Sequence, residues 1–187
     1  MRIVAGKFRG KHLTSPSDES IRPTADRVRE SMFNILTSRL GPVFSGIRVL
    51  DLFAGTGALG LEALSRGAAH VTFVDTGAEA RGLIRDHIEA FGSGGITKLL
   101  RRDATALGTP GTFGQFDLVF LDPPYGHGLG EQALAGLAAN GWLKPGATIV
   151  FEESADATLN IPAGFTLDDR REYGAAAVHF LTFGDAT

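Results

Sequence analysis

The residues best suited to chemistry lie at Asp122-Pro123-Pro124-Tyr125, directly after the apolar run Phe116 to Leu121. A run of that length and composition reads as a buried strand, so the four residues fall at its carboxyl end, where ligands gather in open α/β sheets. Asp122 offers a carboxylate oxygen and Pro123 a backbone carbonyl. Each precedes a proline and is therefore confined to extended conformations that fix the direction of its acceptor. Two acceptors held in this way suit an exocyclic amine of guanine or adenine. Its lone pair is delocalised into the ring and must be drawn toward a tetrahedral geometry before the nitrogen can attack. Tyr125 supplies a flat face on which an extruded base can stack. The bland alternative is a Pro-Pro turn that ends a strand, with Tyr125 as a rim aromatic.

A second constellation weighs against that alternative. Val49-Leu50-Asp51-Leu52-Phe53-Ala54-Gly55-Thr56-Gly57-Ala58-Leu59-Gly60 places Gly-x-Gly-x-x-Gly between a strand and a helix. Glycines there permit a tight turn and close backbone approach to a nucleotide-type cofactor. Gly57→Val is expected to abolish cofactor binding by blocking that approach. The pattern alone also fits a nicotinamide dinucleotide, or a turn needed only for packing. Asp51 decides between cofactors: a carboxylate just before the glycines repels a pyrophosphate and attracts the ammonium of a methionine, which points to S-adenosylmethionine. Asp75 ends the next strand twenty residues after Gly55, where an acid accepts hydrogen bonds from ribose hydroxyls. Asp103 ends the third strand, where it either accepts from an adenine amino group, with the Ala104 backbone beside it, or is a plain loop acid. Asp51, Phe53, Gly55, Gly57, Gly60, Asp75, Asp103 and Ala104 are thus the candidate cofactor residues.

The elements that must position these groups follow from periodicity. Strands are predicted over Ile47 to Phe53, His70 to Asp75, Lys98 to Arg102, Phe116 to Leu121 and Ala147 to Glu152. Helical spacing separates them: Ala58, Leu61 and Leu64 before Gly67, then Leu83, Ile84, His87, Ile88 and Phe91 before Gly92, then Gly130 to Asn140. Strands alternating with helices specify an α/β domain with a parallel sheet. Phe165 to Tyr173 and Ala176 to Phe183 break the pattern, because Gly174 leaves no room for a helix between them, and they are expected to form an antiparallel hairpin. Ahead of the sheet, Thr24 is expected to cap a helix to about Leu40, with Val28, Met32, Phe33, Leu36 and Leu40 on its inner face. Residues 1–20 read as a basic arm or small hairpin. Within them Gly6 and Gly10 punctuate Ile3 to Leu13, and Ser15 to Ser20 form a polar linker.

Composition sets the outer limits. A chain of 187 residues with 43% hydrophobic content matches one domain with a single core, and the expectation is one methyltransferase domain over residues 1–187. With no cysteine, disulfides and cysteine-based zinc sites are excluded, and the scattered histidines predict no metal site. No long apolar run and no leader-like start are seen, so a cytoplasmic protein without membrane contact is expected. The net charge of -3 conceals an asymmetry. Residues 1–29 carry seven basic side chains against three acids. Lys7, Arg9 and Lys11 are the arm residues expected to touch phosphate, against the alternative of a merely solvated basic face.

Together these segments resemble the RsmD family, bacterial methyltransferases of the N2 amino group of a guanine in small-subunit (16S) ribosomal RNA. The likeness covers nearly the whole chain. It rests on Arg2 to Gly10, on Arg22-Pro23-Thr24 with Asp26 to Glu30, on Asp51 to Gly60 continuing through Ala68, and on Asp122 to Tyr125. It implies a class I S-adenosylmethionine-dependent methyltransferase fold, Rossmann-like, with a seven-stranded mixed sheet. It also implies a substrate of 16S rRNA or the assembling small subunit, bound near the arm and near Arg22 and Thr24; a monomer is expected. The family usually has glutamate at Asp75, so the ribose contact is expected to be shorter or shifted. Arg171 and Tyr173 also lie in a family-like stretch, but no chemistry requires them. The Asp-Pro-Pro-Tyr turn is equally at home in adenine-N6 methyltransferases of DNA or RNA, although 187 residues leave little space for a target-recognition region. A dehydrogenase or a non-catalytic RNA-binding module leaves Asp122 to Tyr125 without a task.

Overall fold

The computed structural model describes residues 1–16 and 23–184, with the side chains of Pro23 and Thr24 outside the described set. Arg22 and most of the expected linker also lie outside the described residues. Helix α1 (Pro23–Leu40) precedes strand β1 (Arg48–Leu52), α2 (Ala58–Ser65), β2 (His70–Val74), α3 (Ala78–Ala90), β3 (Thr97–Leu100), β4 (Phe116–Leu121), α4 (Leu129–Ala139), β5 (Leu143–Ser154), β6 (Phe165–Tyr173) and β7 (Ala176–Phe183). The seven strands form one sheet in the order β3-β2-β1-β4-β5-β7-β6. Strands β1 to β5 are parallel, while β7 runs antiparallel to both β5 and β6.

Alternate residues of the buried strands feed opposite faces, as the two-residue period of a strand requires. Val49 joins Phe33, Leu61, Phe73, Phe120 and Phe180 under α1 to α3, whereas Leu50 and Leu52 join Phe116, Leu134, Trp142 and Phe151 under α4. Of the inner face expected for α1, Met32, Phe33 and Leu36 are buried and Val28 and Leu40 half-buried. The helix starts at Pro23 rather than being capped by Thr24, since proline fits the first helical position, where its missing N–H is not needed. Strand β5 begins at Leu143, four residues earlier than expected. Lys144-Pro145-Gly146 reads as a turn, yet it is absorbed by a register shift against β4 between Phe116 and Leu118.

The arm is a hairpin built into the fold. Arg2 and His12 bridge antiparallel, Ile3 N–H donates to the Lys11 carbonyl at 3.0 Å, and Leu13 N–H donates to the Met1 carbonyl at 2.9 Å. Its tip seals the end of α2: Lys7 N–H donates to the Ser65 carbonyl at 2.8 Å and Phe8 N–H to Ser65 Oγ at 2.9 Å. A Cβ on Gly6 would lie 2.0 Å from the Ser65 carbonyl oxygen, so only glycine permits this approach. Glu62, fully buried on α2, gathers the neighbouring elements. Its carboxylate accepts from Val4 N–H at 2.9 Å, Ala5 N–H at 3.1 Å, Arg66 Nε at 3.1 Å and Arg29 Nε at 3.4 Å. Arg29 continues the network to Asp26 and to the Arg2 carbonyl. Among the described residues no helix is long and apolar enough to cross a membrane.

Candidate functional site

The parallel pairing of β2, β1 and β4 fixes the site. Leu52 is in register with Val74 on one side and Leu121 on the other, so the segments that leave these three strands start side by side. Asp75 and Asp122 are the next residues after β2 and β4, and Asp51 is the penultimate residue of β1. Three carboxylates therefore meet at the carboxyl ends of these strands, where a cavity of about 620 Å³ opens beside two of them; Asp75 is not part of its lining. That volume lies within the ordinary range for small-molecule sites.

Asp51 and Asp122 both line the cavity, with Phe53 to Thr56 from the glycine loop and Ala80 and Leu83 from α3. Val28, Arg29 and Met32 of α1, Glu152 of β5, Tyr173 of β6 and Ala176 complete the lining. Asp51 is 1% exposed and accepts one hydrogen bond, from Gly60 N–H to Oδ2 at 3.0 Å. Burial pushes its pKa well up. The Gly60 bond opposes that shift, and the neighbouring Asp122 and Asp75 add to it. A carboxylate desolvated beside two others is short of positive charge, and a cationic ligand supplies it.

The glycine loop holds strain on its cavity side. Phe53, at φ 54°, is the one non-glycine among the described residues in the left-handed region, a conformation that costs a bulky residue of order 1–3 kcal/mol. The glycines divide the work differently from the sequence expectation. Gly55 lines the cavity at φ 58°, with nothing within 4 Å of where a Cβ would sit. Gly57 instead faces the core, its would-be Cβ 3.2 Å from both Ile84 Cγ1 and Phe73 Cε1. Gly60 is tighter still, at 2.5 Å from Phe73 Cε1. Gly57 and Gly60 therefore serve helix-on-sheet packing and the turn, and Gly55 is the glycine open to a ligand. The reason given for Gly57→Val is accordingly corrected, since a side chain there would meet Ile84 and Phe73 before any cofactor.

Asp75 shapes the same loop. Its Oδ2 accepts from Gly55 N–H at 2.9 Å and its Oδ1 from Gly77 N–H at 2.7 Å, which leaves lone pairs for hydroxyl donors. Asp103 lies outside the cavity lining. The Thr105 hydroxyl and backbone N–H both donate to its Oδ1, at 2.7 and 2.8 Å, and hold its pKa down. Ala104 is buried in the core under α4 and likewise does not line the cavity.

At the Asp122 to Tyr125 turn, Pro123 is buried while Asp122, Pro124 and Tyr125 are exposed. The Tyr125 hydroxyl donates to Glu152 Oε1 on β5, and Gly126 N–H donates to Glu153 Oε1 at 3.2 Å. Burial first and then Glu152 drive the phenol pKa upward, so Tyr125 stays protonated; it is 40% exposed and, unlike Asp122, does not line the cavity. Tyr125 and Gly126 are thus tied to two glutamates that the sequence did not single out.

The spacing of His87 marks it as part of a core stripe. It is 4% exposed, but it also ties the arm to the glycine loop. Thr14 N–H donates to His87 Nε2 at 2.9 Å, which places the ring proton on Nδ1, 3.0 Å from the Thr56 carbonyl oxygen. The arm's basic residues sit elsewhere. Lys11 lies over the Phe8 and Phe91 rings with Nζ 3.4 Å from the Ala90 carbonyl, and Lys7 lies over Phe8. That is the C-terminal end of α3, whose 13 residues span about 20 Å from the cavity end. Arg9 is exposed on the same tip.

Five parallel strands, an inserted antiparallel β7 and a glycine loop followed by an acid at the end of β2 define the class I methyltransferase fold. The family described as "Conserved hypothetical protein 95" matches residues 1–182, and the chain belongs to it; this is the RsmD family of the sequence reading. The chain is 38% identical over 169 residues to ribosomal RNA small subunit methyltransferase D of Haemophilus influenzae, covering 89% of this chain and 86% of that protein. It is 36% identical over 178 residues to the Escherichia coli protein of the same name, covering 95% and 87%. The solved structure of yhhF from Escherichia coli, described as a methyltransferase, superposes with a TM-score of 0.83 at 33% identity over 98% of both chains.

Proposed function

We propose that this protein uses S-adenosylmethionine to methylate the exocyclic N2 amine of one guanine in small-subunit (16S) ribosomal RNA, acting in the cytoplasm as a single-domain monomer. The observation that supports the reading is the meeting in one cavity of a desolvated Asp51 with Asp122, the first residue of the Asp122-Pro123-Pro124-Tyr125 turn. Names borne by relatives that match 89% and 95% of the chain support the ribosomal RNA as substrate.

The residues present fit this cofactor, since Asp51 is a buried carboxylate in need of a cation and Gly55 leaves open space at the loop. When bound, S-adenosylmethionine supplies a methyl group activated by a sulfonium. Asp51 would hold the methionine ammonium, and Asp75 has lone pairs left for the ribose hydroxyls. Asp122 accepts a hydrogen bond from the target amine while the Pro123 carbonyl takes the other, drawing the nitrogen lone pair out of the ring plane. Tyr125, braced by Glu152, stacks on the extruded base and fixes its tilt. Catalysis is mainly alignment of the amine nitrogen, the methyl carbon and the sulfur, and the proton released from the methylated nitrogen passes to Asp122 or to water. Lys7, Arg9, Lys11, Arg22 and Thr24 are assigned to RNA contact. Lys7, Arg9 and Lys11 reach a part of the substrate one helix length from the target base.

The test is to incubate the protein with methyl-labelled S-adenosylmethionine and ribosomal RNA or small subunits lacking the modification, digest to nucleosides and identify the product by mass spectrometry. N2-methylguanosine is the expected product. Label in N6-methyladenosine alone overturns the base assignment, and no label in any nucleoside overturns the enzymatic reading.

A further inference from the structure

Arg171 and Tyr173 are family-like residues to which the sequence gives no task, and their surroundings supply one. Helix α1 turns Val28, Arg29 and Met32 toward the catalytic cavity. Its other side carries Arg27, Glu30, Ser31, Asn34 and Ser38, spaced three and four residues apart so that they form one stripe. With Arg171 of β6 this stripe lines a second, open concavity of about 440 Å³. One hydrogen bond separates the two spaces. Ser31 Oγ lies 2.7 Å from the Tyr173 hydroxyl, with Ser31 on the groove side and Tyr173 in the cavity wall.

We propose that this groove is the subsite for the RNA backbone next to the target nucleotide, with Arg27 and Arg171 holding a phosphate and Glu30 accepting from a ribose 2′-hydroxyl. The inference rests on the reading of the protein as an RNA methyltransferase. The chemistry of the groove favours an RNA backbone over a base or an apolar ligand. It offers two guanidiniums and a carboxamide, with Ile35 its one apolar lining residue, and guanidinium forks match phosphate oxygens. Among the described residues Arg27 forms no ion pair. Arg171 is 55% exposed and pairs with Asp169 at 3.0 Å, an exposed contact that a phosphate can displace at little cost. Glu30 works against a bare anion, but it is suited to a 2′-hydroxyl, the group by which proteins distinguish RNA from DNA. A base extruded into the cavity leaves its flanking sugar-phosphate outside, and the Ser31 to Tyr173 partition sets the groove one side chain away.

The experiment uses the full-length protein with Arg27→Ala, Arg171→Ala and the double substitution, measuring methyl transfer to ribosomal RNA across salt concentrations. The expected result is a KM for RNA raised about 5-fold to 20-fold in each single variant and more in the double. The salt dependence of binding should be shallower by roughly 0.7 per lost phosphate contact. Melting temperature, S-adenosylmethionine affinity and kcat should stay at wild-type values, and Arg27→Lys should recover part of the loss. In the wild type, a 2′-deoxy substitution beside the target nucleotide should weaken binding, and Glu30→Gln should reduce that discrimination. Unchanged KM and salt slope in the double variant overturn the subsite while leaving the methyltransferase reading intact. A wild type that transfers no label to RNA overturns that reading instead, and the groove with it.

Discussion

Substituting Asp51 by asparagine separates two effects that a buried carboxylate combines. At 1% exposure its charge is paid for in lost hydration, burial pushes its pKa well up, and the single Gly60 N–H bond only partly compensates. Asparagine keeps the shape and an acceptor for Gly60 but removes the charge. For a cationic ligand group about 4 Å away at an effective dielectric of about 20, the lost attraction is about 4 kcal/mol, a factor of about a thousand in affinity. The acceptor that remains returns part of this, so S-adenosylmethionine is expected to bind about 100-fold to 1,000-fold more weakly, measured by calorimetry. The ligand-free protein should respond in the opposite direction. A raised carboxyl pKa in the folded state means that stability is lost as pH rises through that pKa, because the unfolded chain ionises Asp51 more readily. The asparagine side chain does not ionise, so thermal melting of the ligand-free Asp51→Asn variant should match or exceed that of the wild type, and the gap should widen toward alkaline pH. Affinity within threefold of wild type would refute the assignment of Asp51 to the cation. A variant that melts lower at every pH would refute the claim that its charge is a burden on the empty fold.

Asp122→Ala is expected to lower kcat at least 100-fold with S-adenosylmethionine affinity within threefold of wild type, read by single-turnover methyl transfer and calorimetry. Near-normal turnover would remove Asp122 from the mechanism. Gly60→Ala forces a methyl to within 2.5 Å of Phe73 Cε1 and 2.8 Å of Val71 Cγ1, an overpacking worth about 1–3 kcal/mol that should appear as a lower melting temperature. His87 has its pKa lowered from 6.5, first by burial and against the opposing Thr56 bond. The stability it contributes is therefore present above about pH 6.5 and lost as pH falls through its folded pKa. His87→Gln should flatten that acid limb of the melting profile, and a profile of unchanged slope would show that the limb belongs to other groups.

The sheet was legible because each buried strand carries its own signal: an apolar run closed by an acid or a glycine. Even the departure at Gly174 announced the antiparallel pair. That Asp51, Gly55 and Asp122 share one cavity was legible for the same reason, since all three are local to strand ends. What escaped was non-local. Glu62 sits in Leu61-Glu62-Ala63 looking like a solvated helix residue, and nothing near it announces that Val4, Ala5 and Arg29 converge on it. Glu152 and Glu153 look like an ordinary strand end until Tyr125 and Gly126 arrive from another loop. His87 shows a core periodicity that is correct and incomplete, because its two hydrogen bonds reach residues 31 and 73 positions away. The reading of Gly57 failed for a related reason: the motif predicts a tight turn but not which glycine faces the core.

The wall of the cavity joins the first helix of the chain to its last hairpin. Ser31 meets Tyr173, Arg39 pairs with Asp168 at 3.1 Å, and Phe33 packs in one cluster with Val178 and Phe180. On the ribosome, α1 emerges long before the surface it must cover. A nascent chain that has released the glycine loop and the Asp122 turn would have the parts that grip a cofactor and a base but no enclosure around them. Contacts of such long sequence separation form late, because loop closure must precede them. The β6 and β7 hairpin thus turns an open shelf into a walled cavity, and a chain lacking residues 165–183 would present the glycine loop and the Asp122 turn without Tyr173 and Ala176 in its wall.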